Sequence, residues 1–299
     1  MPPSVTPPPP APPQPVAAPT PVAPPHPQPQ PAPSPIPTTA AAASPLHGTW
    51  VIDLDGVIWL TGEPIGDVGG AVTALHGAGV RTLFATNNSA PTRAELLARL
   101  ANCGITVPAT DLLSSADVAA EMLPVGSTAF VVADDGVREA LTARGVKIVD
   151  TGPADAVIVG WTRSFTFDLI DQAAKAVRAG ARLIGTNEDP THPTPHGLSP
   201  GCGALLAAVA TAAETTPEVA GKPHLPTADA IKSRAADLTI AVGDRPSTDG
   251  ALAQQLSIPF ALVLSGVTSA GEVPTDPAPD LVAADFATLV HSLIEKKGA

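Results

Sequence analysis

From Gly48 onward the chain alternates short apolar runs with helix-length amphipathic segments, and this rhythm restricts the fold more than any other feature. Runs of four to six apolar residues bounded by turn formers are too short for buried helices and read as strands covered on both faces. Repeated with helices between them, they build a parallel sheet with crossover connections. The pattern predicts strands over 49–54, 81–85, 129–133, 156–160, 181–185, 238–242 and 259–264. It predicts helices over 91–102, 136–143, 168–179, 204–213, 227–236, 248–256 and 286–296. The glycines of Gly66-Asp67-Val68-Gly69-Gly70 follow no strand and lack the G-x-G-x-x-G spacing of a dinucleotide loop, so this segment reads as a helix start.

The residues before this pattern cannot join it. Of 37 prolines, 20 fall in the first 45 residues, and Met1 to Trp50 contain no Asp, Glu, Lys or Arg. Such a segment has little to bury and few backbone donors to pair, and it reads as a disordered, polyproline-prone tail over 1–45. About 250 residues remain, enough for one large α/β domain or a core with an inserted domain. With 16 basic against 28 acidic side chains and a net charge of -12, neither nucleic acid nor an anionic membrane is expected as a partner. Any phosphate site must therefore be local. Cys103 and Cys202 fit neither a disulfide framework nor zinc spacing. No stretch approaches the roughly 20 apolar residues of a membrane span, and the start lacks a secretory pattern. The expectation is a cytoplasmic protein.

Candidate chemistry gathers where the strands end, which is where open α/β sheets collect ligands. The apolar run Trp50-Val51-Ile52 leads into Asp53-Leu54-Asp55-Gly56-Val57. If the strand continues, Asp53 and Asp55 share a face, and Gly56 lets the backbone turn away after them. Two close carboxylates repel, so their ionised forms call for a cation, and all-oxygen ligation suits Mg²⁺. Taken alone, the same residues read equally well as a turn. A second run, 81–85, ends in Thr86-Asn87-Asn88-Ser89 before Pro91, a strand-to-helix turn offering hydroxyl and backbone donors to a phosphate, or simply a helix cap. A third ends in Gly243-Asp244-Arg245-Pro246-Ser247-Thr248-Asp249, where Asp249 alternatively caps a helix. Between them, Gly221-Lys222-Pro223 holds a lysine between backbone-restricting neighbours.

Together, and in this order, the four segments resemble the four motifs of the haloacid dehalogenase superfamily of phosphotransferases. The likeness is closest to subclass IIA, the group of NagD-like phosphatases, phosphoglycolate phosphatase, chronophin and bacterial glycerol 3-phosphate phosphatase, in which a large cap domain lies between the second and third motifs. The interval from Ser89 to Lys222 agrees, as do Arg163-Ser164-Phe165-Thr166-Phe167, Gly185-Thr186-Asn187-Glu188-Asp189-Pro190 and the run from Gly197 to Leu205. The fourth segment departs from the group's pattern around Pro246 and Gly250, which bears on how the following helix packs.

The resemblance implies an α/β fold with a Rossmann-like parallel-sheet core over 46–110 and 217–299 and an inserted α/β cap over 111–216. It implies Mg²⁺-dependent hydrolysis of a small phosphomonoester through an aspartyl-phosphate, with glycerol 3-phosphate or 2-phosphoglycolate favoured over pyridoxal phosphate, a nucleoside monophosphate or a sugar phosphate. Asp53 would be the nucleophile and Asp55 the general acid and base. Asp53, the backbone carbonyl of Asp55, and Asp244 would hold the metal, with Asp249 orienting its water ligands or Lys222. Thr86, Asn87 and Lys222 would bind the transferring phosphoryl group, and Asp189 and His192, within a cap loop over 189–196, would select the substrate. Two copies would pair through the cap. A non-catalytic phosphate-ester-binding protein would be expected to lack Asp53 or Asp55, and a phosphomutase to carry a helical insertion between Val57 and Arg81, where there is no room for one.

Overall fold

The computed structural model describes residues 45–194 and 197–298. The proline-rich tail lies outside the described residues except for Pro45, as do Pro195 and His196 of the cap loop. Two parallel sheets organise the rest. The first has six strands in the order Leu281–Ala283, Phe260–Val263, Leu238–Gly243, Thr49–Ile52, Arg81–Thr86 and Leu112–Ser114, all paired in parallel. The chain leaves the central strand Thr49–Ile52 toward one edge and later returns to build the other. This reversal makes the carboxyl end of that strand a topological switch point, where a crevice opens between diverging connections.

The central strand is buried on both faces because alternate side chains serve different layers. Val51 joins Leu83 and Ala241 against the helices Ser115–Glu121, Leu225–Arg234 and Ala251–Leu256. Trp50 and Ile52 join Phe84, Ile240 and Val242 against Val68–Gly77, Arg93–Asn102 and Phe286–Gly298. The second sheet runs Glu218–Val219, Arg182–Gly185, Ala156–Val159, Thr128–Val132, Lys147–Val149, again all parallel. One of its faces is covered by Phe167–Arg178 and Cys202–Ala213. On the other face, Val131, Ile158 and Ile184 share a continuous buried cluster with Val51 and Leu83 of the first sheet. Helix Asp135–Arg144 contributes Val137, Ala140 and Leu141 to the same cluster, and two hairpins pair Trp59–Leu60 with Glu63–Pro64 and Thr191–Thr194 with Gly197–Pro200.

Each predicted strand and helix is present, with shifted ends. The first strand stops at Ile52 rather than residue 54, because the Leu54 carbonyl turns to accept from the backbone N–H groups of Val57, Ile58 and Trp59. Asp53 and Asp55 therefore do not share a strand face. The helix expected from Pro91 begins at Arg93 instead: Thr92 and Glu95 form a reciprocal capping box that fixes the start. Around Pro246 the expected helix opens as a wide π turn over Pro246–Gly250 before continuing as Ala251–Leu256. Helix Val68–Gly77 starts where the glycine-containing segment indicated, with Asp67 accepting from the Gly70 N–H.

Candidate active site

Three strand ends deliver the charged cluster. Ile52 is level with Val242 on one side and Phe84 on the other, so Asp53, Asp244 and Thr86 emerge within a residue of the same level at the carboxyl edge. The Asp53 N–H still donates to the Val242 carbonyl at 2.9 Å, which holds the backbone in the sheet while the side chain passes beyond it. Lys222 arrives from 169 residues away and places its ammonium between two acids, 2.6 Å from Asp53 Oδ1 and 2.7 Å from Asp249 Oδ1. All three side chains are buried. Asp249 is fixed on its other oxygen by the Arg245 N–H at 3.1 Å, and Asp244 Oδ2 accepts from the Val267 N–H at 2.7 Å.

Carboxylate oxygens of Asp53, Asp244 and Asp249 all lie within 4.8 Å of one another. Three buried acids thus surround one ammonium, and the site carries an excess of negative charge. Burial pushes the Asp53 carboxyl well above its usual range; Lys222 opposes this, while Asp249 and Asp244 add to it. Burial and then Asp249 push Asp244 up to about 6, against the Val267 N–H and Lys222. Burial alone would lower the Lys222 ammonium, but Asp249 and Asp53 outweigh it and hold its pKa above the ordinary value.

The donor set fits a hard divalent cation. It is made of oxygen, it is short of positive charge, and it is shaped by backbone that approaches as only glycine allows. A Cβ on Gly56, at φ +83°, would fall 2.4 Å from Asp244 Oδ2, and one on Gly266 would fall 1.8 Å from the same atom. Mg²⁺ ligated by carboxylates and a backbone carbonyl meets these conditions.

Asp55 stands apart from this cluster. Its side chain reaches solvent, yet the surrounding protein desolvates the carboxyl and raises its pKa. Trp59 Nε1–H donates to Asp55 Oδ1 at 2.9 Å, and the Asn88 side chain and Arg99 favour its ionised form. Thr86 Oγ1 accepts from the Asn88 N–H at 3.0 Å.

Asn87 spends its side chain on other parts of the chain. Its Oδ1 accepts from the Lys222 N–H at 2.8 Å, and its Nδ2 donates to the Lys222 carbonyl and to Asp189 Oδ2, both at 3.1 Å. The Asn87 carbonyl accepts from Ser115 Oγ and Asn187 Nδ2, each at 2.7 Å. Asp189 is therefore tied to the turn after the second strand. His192 instead faces Pro200, 3.1 Å from Nδ1 to the carbonyl oxygen, and meets the Trp161 ring edge-on at 5.0 Å. Sequence reasoning did not assign roles to Trp59, Asn88, Ser115 or Asn187. The one advance signal was the position of Asn187 two residues before Asp189 in a segment shared with the resembling group.

Comparison with known proteins agrees with this geometry. A family model described as haloacid dehalogenase-like hydrolase matches residues 50–147, and a second, HAD-hydrolase-like, matches 219–289. The chain is 36% identical over 236 residues to a D-glycerol 3-phosphate phosphatase of Mycobacterium tuberculosis, covering 75% of this chain and 65% of that protein, so it spans just under two thirds of that relative's length. It is 35% identical over 235 residues to the ribonucleotide monophosphatase NagD of Escherichia coli, covering 76% of this chain and 91% of NagD. A crystal structure of a glycerol phosphate phosphatase from Mycobacterium tuberculosis in complex with magnesium superposes with a TM-score of 0.74 at 32% identity, covering 83% of this chain and 78% of that one.

Proposed function

The chain belongs to the haloacid dehalogenase-like hydrolases, and from that premise we propose that it is a Mg²⁺-dependent phosphatase whose substrate is glycerol 3-phosphate, with 2-phosphoglycolate the nearest alternative. The observation that carries the phosphatase reading is the Lys222 ammonium seated between Asp53 and Asp249, with Asp244 beside them. A nucleophilic carboxylate and a phosphate dianion repel each other, and this cluster is built to offset that repulsion. The similarity to the mycobacterial D-glycerol 3-phosphate phosphatase supports the choice of substrate.

In this reading Lys222 holds Oδ1 of Asp53, and Oδ2 attacks phosphorus. A P–O bond forms to Asp53 while the ester P–O bond breaks, and Asp55 gives its proton to the departing alkoxide oxygen. Such a proton transfer is worth about 10²- to 10⁴-fold where the leaving group is a poor one. Asp55 then takes a proton from water, which attacks the phospho-aspartate, releases inorganic phosphate and restores Asp53. Asp53, Asp244 and the backbone carbonyl of Asp55 would hold Mg²⁺, whose charge neutralises the phosphoryl oxygens. Asp249 acts through Lys222, which it contacts directly. Thr86 and the turn at Asn87 receive the phosphoryl oxygens.

The second sheet and the helices on it, from Thr128 to Val219, serve as the cap, with Asp189 and His192 on its substrate-facing loop; the expected bounds of 111–216 shift because Leu112–Ser114 pairs with Arg81–Thr86 in the first sheet and Glu218–Val219 pairs with Arg182–Gly185 in the second. Phe167 and Leu198, both strongly exposed there, are available for pairing two copies. No helix among the described residues is long and apolar enough to cross a membrane; the cytoplasmic location is part of the proposal and is supported by two free, buried cysteines. The test is phosphate release with Mg²⁺ over glycerol 3-phosphate, phosphoglycolate, pyridoxal phosphate and nucleoside monophosphates, with Asp53→Asn as control. Glycerol 3-phosphate should give the highest kcat/KM, and Asp53→Asn should abolish turnover while melting as a folded protein. Activity of that variant within tenfold of wild type would remove the nucleophile assignment.

A further inference from the structure

The hairpin after the first strand is absorbed by none of the roles above, yet its first residue touches the proposed acid. Trp59 is only 2% exposed. A buried indole N–H needs an acceptor, and here it is Asp55 Oδ1 at 2.9 Å. The backbone between the two residues closes on itself. The Gly56 N–H donates to the Trp59 carbonyl at 2.8 Å, and the N–H groups of Ile58 and Trp59 donate to the Leu54 carbonyl at 2.8 and 3.2 Å. Ser265 Oγ donates to the Gly56 carbonyl at 2.7 Å, which ties this loop to the strand end beside Asp244. The pairing of Trp59–Leu60 with Glu63–Pro64 anchors the far side. The indole is therefore a fixed donor, and the carboxyl must adapt to it.

We infer that Trp59 is a positioning residue of the reaction, its indole N–H holding Oδ1 of Asp55 so that Oδ2 is aimed at the oxygen of the leaving group. The bond at Oδ1 fixes the plane of the carboxyl, which the Asn88 side chain also contacts, and so sets where Oδ2 points. A carboxyl free to rotate would present either oxygen and spend part of its time turned away, which costs rate at the chemical step and not in binding. The inference rests on Asp55 being the general acid and adds to that reading the group that orients it.

The experiment compares kcat on glycerol 3-phosphate, whose alkoxide needs the proton, with kcat on p-nitrophenyl phosphate, whose phenolate leaves without one. Trp59→Phe keeps an aromatic ring and deletes the donor. It should lower kcat on the alkyl ester about tenfold more than on the aryl ester, with KM for both little changed. Replacing Trp59 by 3-benzothienylalanine, which puts sulfur in place of the N–H in the same shape, should give the same ratio with a smaller loss of melting temperature. In an Asp55→Asn background, Trp59→Phe should leave the alkyl-to-aryl ratio where Asp55→Asn alone sets it. Equal losses on both esters for the phenylalanine and benzothienyl variants would overturn the inference and leave Trp59 a packing residue. A further fall of the ratio in the double variant would also overturn it, since the effect would not pass through Asp55. If Asp55→Asn alone shows no difference between the esters, the acid assignment fails first and the role of Trp59 fails with it.

Discussion

Replacing the metal-site acid Asp244 by Asn should make the metal-free protein more stable, even as it disables the enzyme. In the fold, burial and the charge of Asp249 raise the Asp244 carboxyl from 3.8 to about 6. That rise is about two pK units, or about 3 kcal/mol as an upper bound for this one group. An acid raised on folding binds more protons folded than unfolded between the two values. Its stability contribution is therefore whole below about 3.8 and is lost as pH rises through about 6. Asn keeps an acceptor for the Val267 N–H, avoids the buried charge and relieves Asp53, which Asp244 also pushes upward. In chelator at about pH 7.5, Asp244→Asn should melt higher than wild type by up to about 6–12 °C, at about 2–4 °C per kcal/mol for a chain of this size. Near pH 4 the two should melt together, to within about 2 °C. Added Mg²⁺ should raise the wild-type melting temperature at the higher pH and leave the variant almost unmoved, because ligand stabilisation follows affinity. A variant that melts at or below wild type in chelator at the higher pH would refute the reasoning, since it would mean that the acids are not held there against their own repulsion.

Lys222→Met should act in the opposite sense. It strands two buried carboxylates and costs about 3–5 kcal/mol near neutrality, a deficit that should shrink in melts at lower pH as Asp53, whose carboxyl burial raises, takes up a proton. Asn87→Ala removes the bonds to both ends of the Lys222 backbone unit and to Asp189; at about 1 kcal/mol per bond the protein should still fold, while kcat in the phosphate-release assay falls at least tenfold. His192→Ala should change KM or the ranking of phosphate esters while costing no more stability in a melt than one edge-on aromatic contact and one exposed hydrogen bond, together about 1–3 kcal/mol.

What could be read in the sequence was whatever one strand end states by itself. Trp50-Val51-Ile52 followed by Asp53, and Leu238 to Val242 followed by Gly243 and Asp244, each place an acid beyond an apolar run, and the structure puts both at the same edge of one sheet. Short or half-covered strands escaped, because Lys147–Val149 and Leu281–Ala283 have only three residues each and no fully buried side chain to make an apolar run. The turns escaped for another reason. Trp59 reads as an ordinary core aromatic until its N–H is seen to end on Asp55, and Asn187 reads as loop until its amide is found on the Asn87 carbonyl. These are bonds between a side chain and a group whose direction depends on how the backbone turns, which residue spacing does not encode. The electrostatics of the site lie further still from the linear chain. Each acid alone is an unremarkable strand-end residue; the excess of three buried carboxylates over one ammonium exists only after segments 53, 222, 244 and 249 have been packed together. Gly56 and Gly266 are the sequence's part in that result, since without a Cβ they let two loops close on Asp244 and remove it from water. The desolvation that makes the cluster of acids costly to fold by itself is the same desolvation that makes it attract a divalent cation and a phosphate ester, so instability without metal and reactivity with it have one origin.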